Sequence, residues 1–122
     1  MQREKSEAMI QFEILEAWGA HSRLRLDRVN TGVGFFNDDG PCRKTDHGAR
    51  PVRFNPKGTG DIVGLIAPSG RLLMIEVKAA AGRQSKEQVV MQRVITTFGG
   101  LYIVARSVAD VDVAFAELGI TR

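Results

Sequence analysis

The sequence predicts a mixed α/β fold, a small β-sheet flanked by helices, in a single domain over residues 1–122. Three observations carry that expectation. Helical apolar stripes alternate with short apolar runs along the chain. One stretch reads as strand, helix, strand, a βαβ unit whose two strands should be parallel with a right-handed crossover. And 122 residues with 43% hydrophobic content are enough for one ordinary core and too few for two.

The elements follow in order. Residues 4 to 18 read as a helix, with Ile10, Ile14, Leu15 and Trp18 on one stripe and Gly19 as its stop. From Arg23 to Asn30, Leu24, Leu26 and Val29 alternate with arginines, a strand that slips near Asp27 and emerges at Asn30-Thr31-Gly32. Residues 31 to 60 are rich in Gly, Pro, Asn, Asp and Arg, and Val33–Phe36 and Val52–Phe54 are expected to pair as an irregular hairpin. Between them, Asn37 to Arg50 reads as an exposed polar loop. Asp61–Ala67 and Arg71–Ala79 form the next hairpin, turning at Pro68-Ser69-Gly70. The near-continuous apolar run of its second strand suggests a central place in the sheet.

Ser85-Lys86-Glu87-Gln88 matches a capping box and opens a helix with Val89, Val90, Val94, Ile95 and Phe98 as its expected apolar face, closed by Gly99-Gly100. Leu101–Ala105 reads as a buried strand. Ser107 then caps a last helix to about Leu118, with Val111, Ala114, Phe115 and Leu118 facing inward. The core order is α-β-β-β-α-β-α, with the irregular hairpin inserted after the first strand.

Charge and cysteine content bound the function classes. A net charge of +3 permits a polyanionic partner without requiring one. Cys42 is the single cysteine, which excludes an internal disulfide framework and a cysteine-based zinc site and fits a reducing, cytoplasmic setting. The charged start carries no apolar stretch of a secretory signal, and no apolar run approaches the ~18 residues of a membrane span, so no membrane partner is expected.

The chemistry concentrates at Ile75-Glu76-Val77-Lys78. Strand side chains alternate faces, so Glu76 and Lys78 point one way and Val77 into the core. A charged pair on a buried strand is costly unless it is used. Asp61 on the neighbouring strand would add a second carboxylate. Asp61, Glu76 and the Val77 carbonyl would then suit Mg²⁺ or Mn²⁺, which take oxygen ligands and, for Mg²⁺, keep several waters. Lys78 would orient an attacking water or stabilise charge on a phosphoryl group. That combination points to phosphodiester hydrolysis.

Two further positions carry open alternatives. Glu7 falls in the middle of the first helix's apolar stripe, with Gln11 one turn on, so it either reaches the site or is a first-turn acid favoured by the helix dipole. Gln88 either completes the capping box or reaches the water or scissile phosphate. Arg43, Lys44, Arg50, Arg53 and Lys57 precede Asp61, and Arg83 and Lys86 follow Lys78. These are either phosphate contacts or a solvated face. His21 and His47 lack metal-ligand spacing.

Asp61 followed by Glu76-Val77-Lys78 resembles the PD-(D/E)xK nuclease signature. Gly58-Thr59-Gly60-Asp61, Gly82-Arg83-Gln84-Ser85 with Gln88, and Gly99-Gly100 extend the similarity to the VRR-NUC branch, over residues 7 to about 106. Gly60 stands where the superfamily's name has proline. The resemblance implies a restriction-endonuclease-like core and a Mg²⁺- or Mn²⁺-dependent endonuclease with Asp61, Glu76, Lys78 and Gln88 in its site and Glu7 as the helical glutamate. It also implies a homodimer acting on branched DNA such as four-way junctions, in a bacterial cell or phage-infected host. The competing readings are a DNA-binding or assembly module that keeps a nuclease fold without catalysis, and a sequence-specific restriction-type enzyme with only residues 31 to 60 for base readout.

Overall fold

The structure, a computed structural model, describes residues 4–29, 33–53 and 61–122. Asn30-Thr31-Gly32, Phe54, Lys57 and Gly58-Thr59-Gly60 lie outside the described residues, as does the side chain of Arg53.

The described residues form three helices and two sheets: α1 (Glu7–Trp18), β1 (Leu24–Arg28), β2 (Val33–Asn37), β3 (Gly40–Cys42), β4 (Arg50–Arg53), β5 (Ile62–Ile66), β6 (Arg71–Val77), α2 (Lys86–Thr97), β7 (Leu101–Ala105) and α3 (Val108–Ala116). The mixed α/β expectation holds. The main sheet runs β1-β5-β6-β7. β1–β5 and β5–β6 are antiparallel, and β6–β7 is parallel, as the βαβ reading requires. β6 therefore has neighbours on both sides, which is what its apolar run anticipated.

The second sheet, β3-β2-β4, corrects the expected loop at 37–50. β2 does pair with β4, but Gly40–Cys42 adds a third strand on the other side of β2. The sequence cue was weak. The strand has only three residues, and Pro41 within it supplies no N–H to a ladder.

Helix starts follow local chemistry. Ser6 caps α1 by accepting from the Met9 N–H at 3.1 Å, which starts the helix later than the position expected. Ser107 caps α3 in the same way through the Asp110 N–H. At the end of α2, Gly99 adopts φ +90°, a conformation that side chains disfavour, and Gly100 brings β7 close enough that a Cβ there would lie 2.6 Å from Ile95.

The sheet separates two apolar clusters by its period-two alternation. Leu73, Ile75 and Val77 of β6 face α1 and α3 and pack with Ile10, Ile14, Trp18, Ile62, Val111 and Phe115. On the opposite face Met74 joins Tyr102 and Ile95 under α2. Trp18 and Phe115 lock α1 to α3, edge to face, with ring centroids 4.7 Å apart. The Trp18 indole N–H donates to Asp112 at 2.9 Å, so this large ring is buried without an unsatisfied donor.

Two inward faces differ from expectation. In α3, Val111 and Phe115 are buried and Ala114 is partly so, but Leu118 is exposed. In α2 only Ile95 of the expected stripe is buried, while Val89, Val90, Val94 and Phe98 are exposed.

Phe115 is fully buried, whereas Phe98 is 86% exposed. Phe115→Ala is therefore expected to cost about 3–5 kcal/mol in urea unfolding. Phe98→Ala should stay within about 0.5 kcal/mol of the parent. Equal effects of the two would contradict the packing described.

Candidate metal centre

Glu76 lies next to last on β6, fully buried, on the face opposite Ile75 and Val77. One of its oxygens is well served. Oε1 accepts from the Tyr102 hydroxyl at 2.6 Å and from the Gln84 side-chain amide at 3.3 Å. Gln84 in turn donates to Gln92 Oε1 at 3.0 Å. The other oxygen, Oε2, is buried with no hydrogen-bond partner. Its nearest opposite charge is Lys78 Nζ, 3.7 Å away, on a side chain only 14% exposed. A buried anionic oxygen without a donor is costly, and native structures rarely keep one without a use.

Asp61 stands just before β5. Ile62 pairs with Ile75, so continuing that register one step puts Asp61 across from Glu76. Its backbone is pinned from two sides: the carbonyl accepts from the Val29 N–H at 2.9 Å and from the Gln11 amide at 3.3 Å. Its carboxylate Oδ2 accepts from the Val77 N–H at 2.6 Å. The Val77 position thus reaches Asp61 through its N–H. Burial pushes the Asp61 carboxyl above its ordinary value. The Val77 N–H opposes that shift, Glu7 adds to it, Lys78 lowers it and Glu76 raises it. The charges of Glu76 and Lys78 thus both bear on the Asp61 carboxyl.

Glu7 takes the first position of α1, exposed, and Oε1 accepts from the Ala79 N–H at 3.4 Å. It sits at the rim, holding the backbone just after Lys78 while its charge acts on Asp61. Arg106 holds the same segment from the other side, donating to the Ala79 and Ala80 carbonyls at 2.7 and 3.3 Å. Gln88 is not brought to the carboxylates by any of its hydrogen bonds. Its Oε1 accepts from the Ser85 N–H at 2.8 Å, closing the capping box. Gln84, four residues earlier and in no regular element, is the glutamine that touches Glu76.

Tyr102, Gln84 and Gln92 were not singled out from sequence. A signal existed for Tyr102. It is the one hydroxyl in the apolar strand Leu101–Ala105, and a buried tyrosine usually finds a partner for its O–H.

Among the expected basic contacts, Arg43 pairs with Asp46 at 3.4 Å and Arg50 with Asp38 at 3.3 Å, both at the surface of the second sheet. Such pairs are worth about 0–1 kcal/mol, so both guanidiniums remain open to other anions. Lys44, Arg83 and Lys86 are exposed. Among the described residues no three His, Cys, Asp or Glu side chains gather as a ligand set. Two carboxylates, one of them with an unsatisfied buried oxygen, nevertheless fit a hard divalent cation that completes its shell with water. No helix of the described residues is long and apolar enough to cross a membrane.

The chain matches no known family model, and no curated protein matches it.

The raised Asp61 pKa has a stability consequence. A carboxyl that holds its proton more tightly folded than unfolded costs stability once it ionises, and the cost disappears below the ordinary carboxylate range. Asp61→Asn keeps an acceptor for the Val77 N–H and removes the charge. Thermal unfolding should therefore show Asp61→Asn more stable than the parent at neutral pH, with the gain shrinking as pH falls toward the ordinary aspartate range. A gain that grew on acidification would contradict this environment.

Proposed function

We propose that the chain is a metal-dependent, structure-selective DNA endonuclease with a restriction-endonuclease-like core of the VRR-NUC type. The observation that carries the reading is the buried, unsatisfied Oε2 of Glu76 beside the Lys78 ammonium, on the strand next to Asp61. Structural ion pairs also bury charge, but they satisfy their oxygens. Here Oε2 has the Lys78 ammonium 3.7 Å away and no hydrogen-bond donor, which supports a role for it beyond the ion pair.

Asp61, Glu76 and the Val77 carbonyl would hold Mg²⁺ or Mn²⁺. Such a cation, when bound, screens the phosphate and makes a water more acidic. The rest falls to the chain's own groups. Lys78, mostly buried and tethered to Glu76, offers a fixed positive charge to the developing negative charge of the phosphoryl group. Val77 orients the Asp61 carboxylate through its N–H, so that acid does not have to be ordered when substrate arrives. Glu7, which accepts from the Ala79 N–H at the rim, would accept a hydrogen bond from a water entering the site. Lys44, Arg83 and Lys86, with Arg43 and Arg50, would supply phosphate contacts. Branched DNA as substrate and a homodimer belong to the same proposal. The outward apolar residues Val90 and Val94 of α2, with Phe98 at its C-cap, would offer a surface for a second copy.

The test is cleavage of four-way, flap and linear DNA with Mg²⁺ or Mn²⁺, beside sedimentation of the free protein. Metal-dependent cutting of the branched substrates by a dimer is expected, and Lys78→Ala should lower the rate by about 10²–10³-fold. Cutting that survives the Lys78 change would remove the mechanism. Binding without cutting under either metal would favour a non-catalytic DNA-binding module on the same fold.

A further inference from the structure

We infer that Tyr102 is a positioning residue for the cation, and that with Gln84 and Gln92 it makes Glu76 a one-oxygen ligand. The inference rests on the metal-centre reading above and goes beyond it, because it assigns the two oxygens of one carboxylate to different work.

The geometry is lopsided in a specific way. Two side-chain donors converge on Glu76 Oε1: the Tyr102 phenol at 2.6 Å, in the range of charge-assisted O–H···O⁻ bonds, and the Gln84 amide at 3.3 Å. Oε2 receives none. A free carboxylate rotates about its last bond and presents either oxygen, or both, to a cation. Here rotation would break the short Tyr102 bond, so Oε2 is the oxygen left to bind.

Tyr102 is itself fixed. It lies on β7 at the Met74 register position, under α2, packed in the same cluster as Met74 and Ile95. Gln84 is fixed by Gln92 on the second turn of α2. The donors therefore come from a strand and from a segment anchored to a helix, elements that do not move with the carboxylate. Outer partners of this kind orient ligands, and their loss typically weakens metal binding about 10–100-fold.

Calorimetric titration with Mn²⁺ alone tests this on the parent protein, Tyr102→Phe and Gln84→Ala. Near-UV circular dichroism and the unfolding temperature are recorded for each. Tyr102→Phe removes one oxygen from a buried ring and keeps its packing. Gln84 lies outside regular structure and is only partly buried, so Gln84→Ala serves as the second variant should the first not fold. The expected result is Mn²⁺ affinity lowered about tenfold or more in Tyr102→Phe, with a smaller loss in Gln84→Ala. Carboxylate infrared bands on Mn²⁺ binding should move from the one-oxygen to the two-oxygen pattern in Tyr102→Phe. A purely structural tyrosine would lower the unfolding temperature and leave both affinity and bands unchanged, which would overturn the inference while the metal centre stands. Unchanged affinity in Gln84→Ala, should Tyr102→Phe not fold, would overturn it equally. No Mn²⁺ binding by the parent would instead overturn the metal-centre reading, and this inference with it.

Discussion

The constraint on which the rest of the structure depends is a carboxylate at the middle of the sheet. Glu76 is completely buried on a strand that has neighbours on both sides. Removing an ion from water costs several kcal/mol even after the protein relaxes. A hydrogen bond to a charged group returns about 1.5–3 kcal/mol. The Tyr102 and Gln84 bonds together are thus comparable with the cost of burying one ion, and no donor is left for the second oxygen. The fold tolerates Glu76 only because strand, helix and preceding segment each contribute something to it: Tyr102 from β7, Gln92 from α2, Gln84 before it and Lys78 two residues on.

That requirement accounts for the placement of the neighbouring acid. Asp61 gains stability from the Val77 N–H and loses it to burial and to the charges of Glu7 and Glu76. In an apolar site this imbalance would be relieved by moving the side chain into water. Here its backbone is held by Val29 and Gln11 and its carboxylate by Val77, so the tension is retained. Clustered like charges fixed by backbone contacts are a familiar form in which functional sites trade stability for chemistry.

Much of the main sheet was legible in the sequence because its signals are local. Capping serines at 85 and 107, the turn at 68–70 and the apolar run of β6 each report on a few adjacent residues. The candidate site was legible where it is also local: Glu76 and Lys78 two apart on a strand, with Asp61 one hairpin away. What sequence could not supply was partner choice across the fold. Gln84 and Gln88 both lie near the start of α2, and only the folded chain shows the cap taking Gln88 and Glu76 taking Gln84. Tyr102 is 26 residues from Glu76, joined to it by the parallel pairing of β6 and β7. Gly40–Cys42 was missed because a three-residue strand has no period to read.

The misassigned face of α2 follows from the same buried acid. Apolar periodicity assumes that the surface beneath a helix is apolar. On this side of the sheet it is only partly so, because Glu76 and the Tyr102 hydroxyl lie beside the Met74 cluster. The less exposed residues of α2 are accordingly Gln88, Met91, Gln92 and Ile95, a helical stripe that is half amide. Gln92 serves the network around Glu76, and Met91 and Ile95 pack beside Met74 and Tyr102. Val90, Val94 and Phe98 form the other stripe and face outward. Reading the helix by hydrophobicity alone turns it the wrong way round, since the polar network beneath it decides its orientation. A charged residue predicted on a central strand is therefore information about its covering helix: the helix should be read for the polar stripe that can satisfy the charge, and its apolar stripe assigned afterward.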